Sequence, residues 1–212
     1  LSDFDRTLTQ GTFRGKKTPS VISLLRDGNH LSEEYALQAH ALFNYYHPIE
    51  LSSTISFQEK KEKMDEWWEK HTKLLISEGL SIRDLEDIVY NGPVIIREKM
   101  REFLDLLHEN NIPLVILSAS GIGDALPLYF QRINGNYKNI HFITNRFTWK
   151  NGKAVSSQKP YINSLNKDEI ILRNFPQIYR EIKHRTNVIL LGDQIADLSM
   201  INGFNYDTLL TI

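Results

Sequence analysis

The chain has 212 residues, 25 basic and 26 acidic side chains, a formal net charge of −1 and an apolar fraction of 41%. Such a composition excludes wholesale disorder and suits one to two domains, or one domain carrying an insertion. Near-zero charge removes the bulk attraction of a nucleic-acid or anionic-membrane binder, and the absence of cysteine excludes disulfides, thiolate nucleophiles and cysteine-bound metals.

No apolar run approaches the roughly 18 residues of a membrane-spanning helix, and no basic-then-apolar leader opens the chain. A cytoplasmic monomer is expected, without membrane or nucleic-acid partners. Leu1-Ser2 is short for the strand that should present Asp3, and Thr208 to Ile212 ends on what reads as another strand. Further residues are therefore expected at both ends of the full protein.

In chain order, a first strand near Asp3 is followed, from about Gly11 to Asn91, by a stretch rich in helix signals and poor in strand signals. One helix is expected over about Leu31 to Tyr46. Another opens on the capping box Ser56-x-x-Glu59 and runs to Glu78, with Gly79 as its stop. Its apolar positions Met64, Trp67, Trp68, His71, Leu74 and Leu75 form one stripe. A third runs from Ser81 to about Tyr90. Beyond Pro93, Met100, Phe103, Leu104 and Leu107 mark a helix that feeds the buried strand Ile112 to Leu117.

Asp124 to Arg132 reads as a helix, Asn151-Gly152 as a type I′ hairpin, and Lys167 to Phe175 as a helix capped by Asn166 and stopped by Pro176. Val188 to Leu191 is a strand expected to be buried on both faces. The alternation implies an α/β fold: a doubly wound parallel sheet made of residues 1–10 and 92–212, with a helical cap, 11–91, inserted into it.

Asp3-Phe4-Asp5-Arg6-Thr7 carries two carboxylates two positions apart, so strand alternation sends both to one side at a sheet's carboxyl edge. Ser118 and Gly192-Asp193-x-x-x-Asp197 each follow a buried strand, and Lys167 sits at an expected helix start. Such groups suit phosphoryl transfer: a carboxylate attacks phosphorus, Mg²⁺ offsets the substrate's charge, and hydroxyl and ammonium groups hold the other phosphoryl oxygens.

These four motifs resemble those of the haloacid dehalogenase superfamily of phosphatases. The resemblance implies that Asp3 is the nucleophile and that Asp5 is the acid and base. It implies phosphate binding by Ser118, Ala119 and Lys167, and Mg²⁺ on Asp3, the Asp5 carbonyl and Asp193, with Asp197 close by. Gly121-Ile122-Gly123-Asp124, Asn166-Lys167, Tyr45-Tyr46 with Ile49-Glu50, and Glu66-Trp67 are most similar to the cytosolic pyrimidine 5′-nucleotidases. That likeness implies a nucleoside monophosphate substrate, a pyrimidine preference and a cap in which Glu50, Trp67 and His71 meet the base.

Two places differ from this pattern. The second motif reads Ser118-Ala119-Ser120-Gly121, one residue longer than the family's Ser-Ala-Gly, and the cap's Ser-His pair appears as His71-Thr72. From the residues alone, Trp67, Trp68 and His71 are equally an apolar core stripe, Glu50 a surface carboxylate, and Lys159 a competitor of Lys167. A phosphatase for a non-nucleotide ester, or a silent binding protein of the same fold, are the alternative functions.

Overall fold

The computed structural model describes residues 1–133, 137–168 and 174–212. The backbone of Leu1 to Asp3 is hydrogen-bonded on both sides. Ser2 N–H donates to Val115 O and Ser2 O accepts from Leu117 N–H on one flank, while Asp3 N–H donates to Leu191 O on the other. That segment therefore lies between β3 (Leu114–Ser118) and β7 (Asn187–Leu190), parallel to both. β3 pairs in parallel with β4 (Ile140–Thr144), and β7 with β8 (Thr208–Thr211). The resulting order is β4, β3, Leu1–Asp3, β7, β8, which places Asp3, Ser118 and Gly192-Asp193 at one carboxyl edge.

All of β3 is buried, and its side chains divide by strand alternation. Leu114 and Ile116 join the larger apolar cluster with Phe4, Leu104, Tyr129 and Phe130, while Val115 and Leu117 join Ile143, Ile162, Ile182, Leu190 and Met200 on the other face. β7 departs from expectation. Only Leu190 is buried, and Ile189 is 50% exposed, lining an open cavity with Leu1, Phe103, Leu107 and Leu210.

Residues 11–91 form a short hairpin, β1 (Thr12–Phe13) with β2 (Lys16–Lys17), and four helices: α1 (Val21–Asp27), α2 (Glu33–Leu51), α3 (Phe57–Ser77) and α4 (Ile82–Asn91). The hairpin turns on Arg14 and Gly15, both at positive φ. α2 runs five residues beyond the expected Tyr46, straight through Pro48. α3 matches its expected cap: Ser56 Oγ accepts from Glu59 N–H, and the helix closes as Leu80 N–H reaches Leu75 O and Gly79 N–H reaches Ile76 O, with Gly79 at φ 77°. Ser81 and Asp84 form a reciprocal capping box at α4. Val21, Leu25, Leu75, Leu85 and Ile88 of this segment share one apolar cluster with the sheet's Phe4 and Ile116.

α5 (Met100–Glu109) and α6 (Ala125–Arg132) fall where the pattern places them. β5 (Phe147–Lys150) and β6 (Lys153–Ser157) turn on Asn151 and Gly152 with φ of 51° and 74°, the left-handed pair of a type I′ hairpin. The helix expected over Lys167 to Phe175 lies largely outside the described residues. Pro176 opens α7 (Pro176–Ile182), since its fixed φ and missing N–H are tolerated in a first turn. A 3-10 helix, Ile195–Ile201, follows β7.

Candidate active site

The turn after the first strand is built by its own residues. Phe4 O accepts the N–H groups of Thr7, Leu8 and Thr9, and Thr9 Oγ1 accepts Arg6 N–H at 2.7 Å. Arg6 is thereby held left-handed at φ 63°, and Arg97 Nη2 braces its carbonyl at 2.8 Å. The two aspartates emerge from this turn into different surroundings.

Asp3 is buried, and Lys167 Nζ donates to its Oδ1 at 2.5 Å and to Asp197 Oδ1 at 3.0 Å. Burial pushes the Asp3 carboxyl up to about 6, the Lys167 charge opposing and the Asp197 charge assisting. Lys167 is held above its usual range: burial favours its neutral form, but the two carboxylates outweigh that. Asp5 Oδ1 instead accepts Val21 N–H at 2.9 Å, at the start of α1. Burial, followed by the Asp3 charge, raises Asp5 to about 7. Two carboxyls two residues apart thus differ in partner and in proton affinity.

Asp3, Asp193 and Asp197 each bring a carboxylate oxygen to within 4.8 Å of the others. Gly192 permits this approach, since a Cβ there would stand 2.6 Å from Asp197 Cβ and 2.8 Å from its Oδ2. Asp193 is the most exposed of the three, with the Arg6 guanidinium 3.9 Å away. Three hard oxygen donors of this kind, one open to solvent, fit a divalent cation such as Mg²⁺. The Asp5 carboxylate is not part of the trio.

Ser118 ends β3, and its Oγ accepts Ser120 N–H at 3.2 Å. The next carbonyls are tied down from behind. Trp68 Nε1 donates to Ala119 O at 3.3 Å, and Asn145 Nδ2 lies 3.4 Å from Ala119 O, 3.1 Å from Ser120 O and 2.8 Å from Ile162 O. Asn145 Oδ1 accepts Ile162 N–H, so one buried amide joins this turn to the loop leading to Lys167. Gly123 packs against the end of β4, where a Cβ would collide with Thr144 Cβ at 2.4 Å.

Three of the helical segment's side chains grip the loop ahead of Lys167. Glu50 accepts from Ser164 Oγ, Asp65 accepts from Asn163 Nδ2 at 2.9 Å, and Glu69 pairs with Lys159 at 3.4 Å. Lys159, the competitor for the phosphate role, is 63% exposed in its side chain and stands on Tyr161, away from Asp3. His71 stacks beside Tyr35 and lies against Gly121, and burial lowers it to about 4, so its imidazole is neutral.

Trp67 stands apart from its expected place in the pocket wall. It stacks on Tyr46, 5.7 Å between ring centroids, in a cluster with Met64, and its neighbour Trp68 makes the contact with the Ser118 turn. Adjacent positions on one apolar stripe differ by 100° around a helix, and periodicity does not say which faces the sheet edge. Asn145, Asn163 and Asp65 carried no motif. The short apolar run Ile140–Thr144, the strand ahead of Asn145, is a local signal for that strand but not for the asparagine's partners.

The family model described as Pyrimidine 5′-nucleotidase (UMPH-1) matches residues 6–212. The chain belongs to this family. Members are phosphoric monoester hydrolases of the haloacid dehalogenase type, a class that uses a divalent metal. The 7-methylguanosine phosphate-specific 5′-nucleotidase of Mus musculus is 32% identical over 204 residues, 96% of this chain and 67% of the relative. That of Homo sapiens is 34% identical with the same coverage. The solved structure of cytosolic 5′-nucleotidase IIIB bound to cytidine superposes with a TM-score of 0.84 at 26% identity, covering 99% of this chain and 70% of that one. No helix of the described residues is long and apolar enough to cross a membrane.

Proposed function

We propose that the protein is a Mg²⁺-dependent 5′-nucleotidase that hydrolyses nucleoside 5′-monophosphates, pyrimidine ones preferred, through an aspartyl-phosphate on Asp3. The observation that carries this reading is the Lys167 ammonium lying on Asp3 and Asp197 while Asp5, two residues from Asp3, sits outside that pair with a carboxyl at about 7.

In this mechanism the Asp3 carboxylate attacks phosphorus, and the P–O bond to the nucleoside 5′ oxygen breaks. Asp5 gives that oxygen its proton, leaving nucleoside free and phosphate esterified to Asp3. The Asp5 carboxylate then takes a proton from a water that attacks phosphorus, releasing inorganic phosphate and restoring Asp3. Lys167, Ser118 and the turn at Ala119 hold the non-bridging oxygens. Asp3, Asp193 and Asp197, with the Asp5 carbonyl, would hold Mg²⁺, which when bound offsets phosphoryl negative charge.

Residues 11–91 act as the cap over a core of residues 1–10 and 92–212. Support for this lies in the contacts from Trp68, Glu50 and Asp65 to the turns at Ala119 and Asn163-Ser164. In this reading Glu50 and His71 face the base, and Trp67 shapes their side of the cap through Tyr46. The protein works as a cytoplasmic monomer on a small substrate, a setting that agrees with the word cytosolic in the name of the solved relative.

A second base preference, 7-methylguanosine monophosphate, is favoured by the names of the mouse and human relatives. Phosphate release with Mg²⁺ from cytidine, uridine, adenosine and 7-methylguanosine monophosphates and from a sugar phosphate separates the readings. The proposal expects the pyrimidine nucleotides to lead, and equal rates on all five esters would contradict nucleotide selectivity.

A further inference from the structure

We infer that Ser120 is a second phosphoryl-binding hydroxyl, additional to Ser118, and that it sets affinity for the substrate's phosphate. The inference rests on the phosphatase reading above.

Ser120 is 5% exposed, and its Oγ has no hydrogen-bond partner among the described residues. A buried hydroxyl left without a partner is destabilising relative to a satisfied one, so its presence asks for a use. Its position supplies one. The Ser120 N–H lies 3.2 Å from Ser118 Oγ, placing both hydroxyls on a single turn at the carboxyl end of β3, beside the strand that carries Asp3.

The turn is oriented from behind. Trp68 and Asn145 bind the Ala119 carbonyl, and Asn145 binds that of Ser120. In trans peptides the N–H points opposite to the C=O, so the N–H groups of Ser120 and Gly121 face the other side of the turn, where Ser118 Oγ stands. Ser120 is also the residue by which this turn exceeds the Ser-Ala-Gly pattern. The added residue brings a hydroxyl with no partner among the described residues, and an anionic phosphoryl oxygen is an acceptor that strengthens such a bond.

The test pairs a binding measurement with a stability measurement, because a ligand role and a structural role move them oppositely. Deleting an unpartnered buried hydroxyl leaves folding unchanged or improved, whereas deleting one that bonds within the protein lowers the melting temperature. Ser120→Ala is expected to raise KM, and the calorimetric Kd for inorganic phosphate in the presence of Mg²⁺, about tenfold with a melting temperature equal to or above the parent's. Ser120→Cys, close in size but a weak donor, is expected to do the same.

Unchanged KM and phosphate Kd in both variants would overturn the inference while Ser118→Ala still weakens binding, as would a lowered melting temperature shared by both. If the parent hydrolyses no nucleotide, the functional reading fails separately, and the phosphate Kd still decides the role of Ser120. A parent that binds no phosphate overturns both.

Discussion

Lys167 Nζ stands 2.5 Å from Asp3 Oδ1 and 3.0 Å from Asp197 Oδ1, so one buried ammonium holds together residues that lie 164 and 30 positions away from it in the chain. A cation between two buried carboxylates offsets their mutual repulsion, and its removal leaves like charges facing each other out of water.

Lys167→Met is therefore expected to lower stability by about 3–5 kcal/mol near neutral pH. The loss should shrink towards pH 5, where the Asp3 carboxyl, already raised to about 6, takes up a proton. Melting curves at several pH values check this. In the proposed mechanism the same variant loses about a thousandfold in kcat/KM, read by phosphate release.

Asp5→Asn should separate stability from activity. A carboxyl raised from 3.8 to about 7 opposes folding increasingly as pH climbs through that window. The penalty is absent below the lower value and complete above the upper one, where it amounts to at most about 4 kcal/mol. The variant should thus melt with the parent at pH 4 and above it at pH 8, with turnover lost at both. Paired thermal scans read the sign.

The rate should follow both carboxyls. In the proposed mechanism Asp3 attacks ionised and Asp5 donates protonated, so kcat/KM is expected to rise through about 6 and fall above about 7 without saturating metal. Raising Mg²⁺ should move the acid limb lower, because a cation on Asp3 favours its ionised form. The basic limb should move less, since the Asp5 carboxylate lies outside the Asp3, Asp193 and Asp197 trio. A pH–rate series at two Mg²⁺ concentrations checks the difference.

The two neighbouring tryptophans should fail differently. Trp67 is stacked in the Tyr46 cluster, so Trp67→Ala is expected to cost about 3–5 kcal/mol of stability. Trp68→Phe keeps an aromatic ring but removes the pyrrole part of the indole with its N–H to Ala119 O, and should raise KM severalfold with a smaller loss of melting temperature than Trp67→Ala. Kinetics and melting of the two variants distinguish the roles.

What the sequence made legible follows from how local each signal is. The caps at Ser56 and Ser81, the stop at Gly79 and the Asn151-Gly152 turn are written within a few residues, and each stands where its chemistry requires. The order of acidic, hydroxyl and lysine motifs after buried strands carried the site, because a parallel sheet gathers strand ends at one edge. Asn145 and the Asp65–Asn163 pair were invisible, being defined only by partners 17 to 98 residues distant. Proline favours both ends of a helix, so the place of Pro176 at the start of α7 is not readable from the residue alone, and an apolar run such as that of β7 does not record what covers it. The hairpin at Thr12 to Lys17, two residues per strand, is shorter than any periodicity.

The central claim is a covalent bond between Asp3 and phosphate. Rapid quenching of the enzyme during turnover of a pyrimidine monophosphate with Mg²⁺, followed by borohydride reduction and peptide mass spectrometry, tests it directly. The expected result is reductive conversion of Asp3 to homoserine, dependent on substrate and absent in Asp3→Asn, which should also be inactive. Turnover with Asp3 unmodified, or substantial activity of Asp3→Asn, would contradict it.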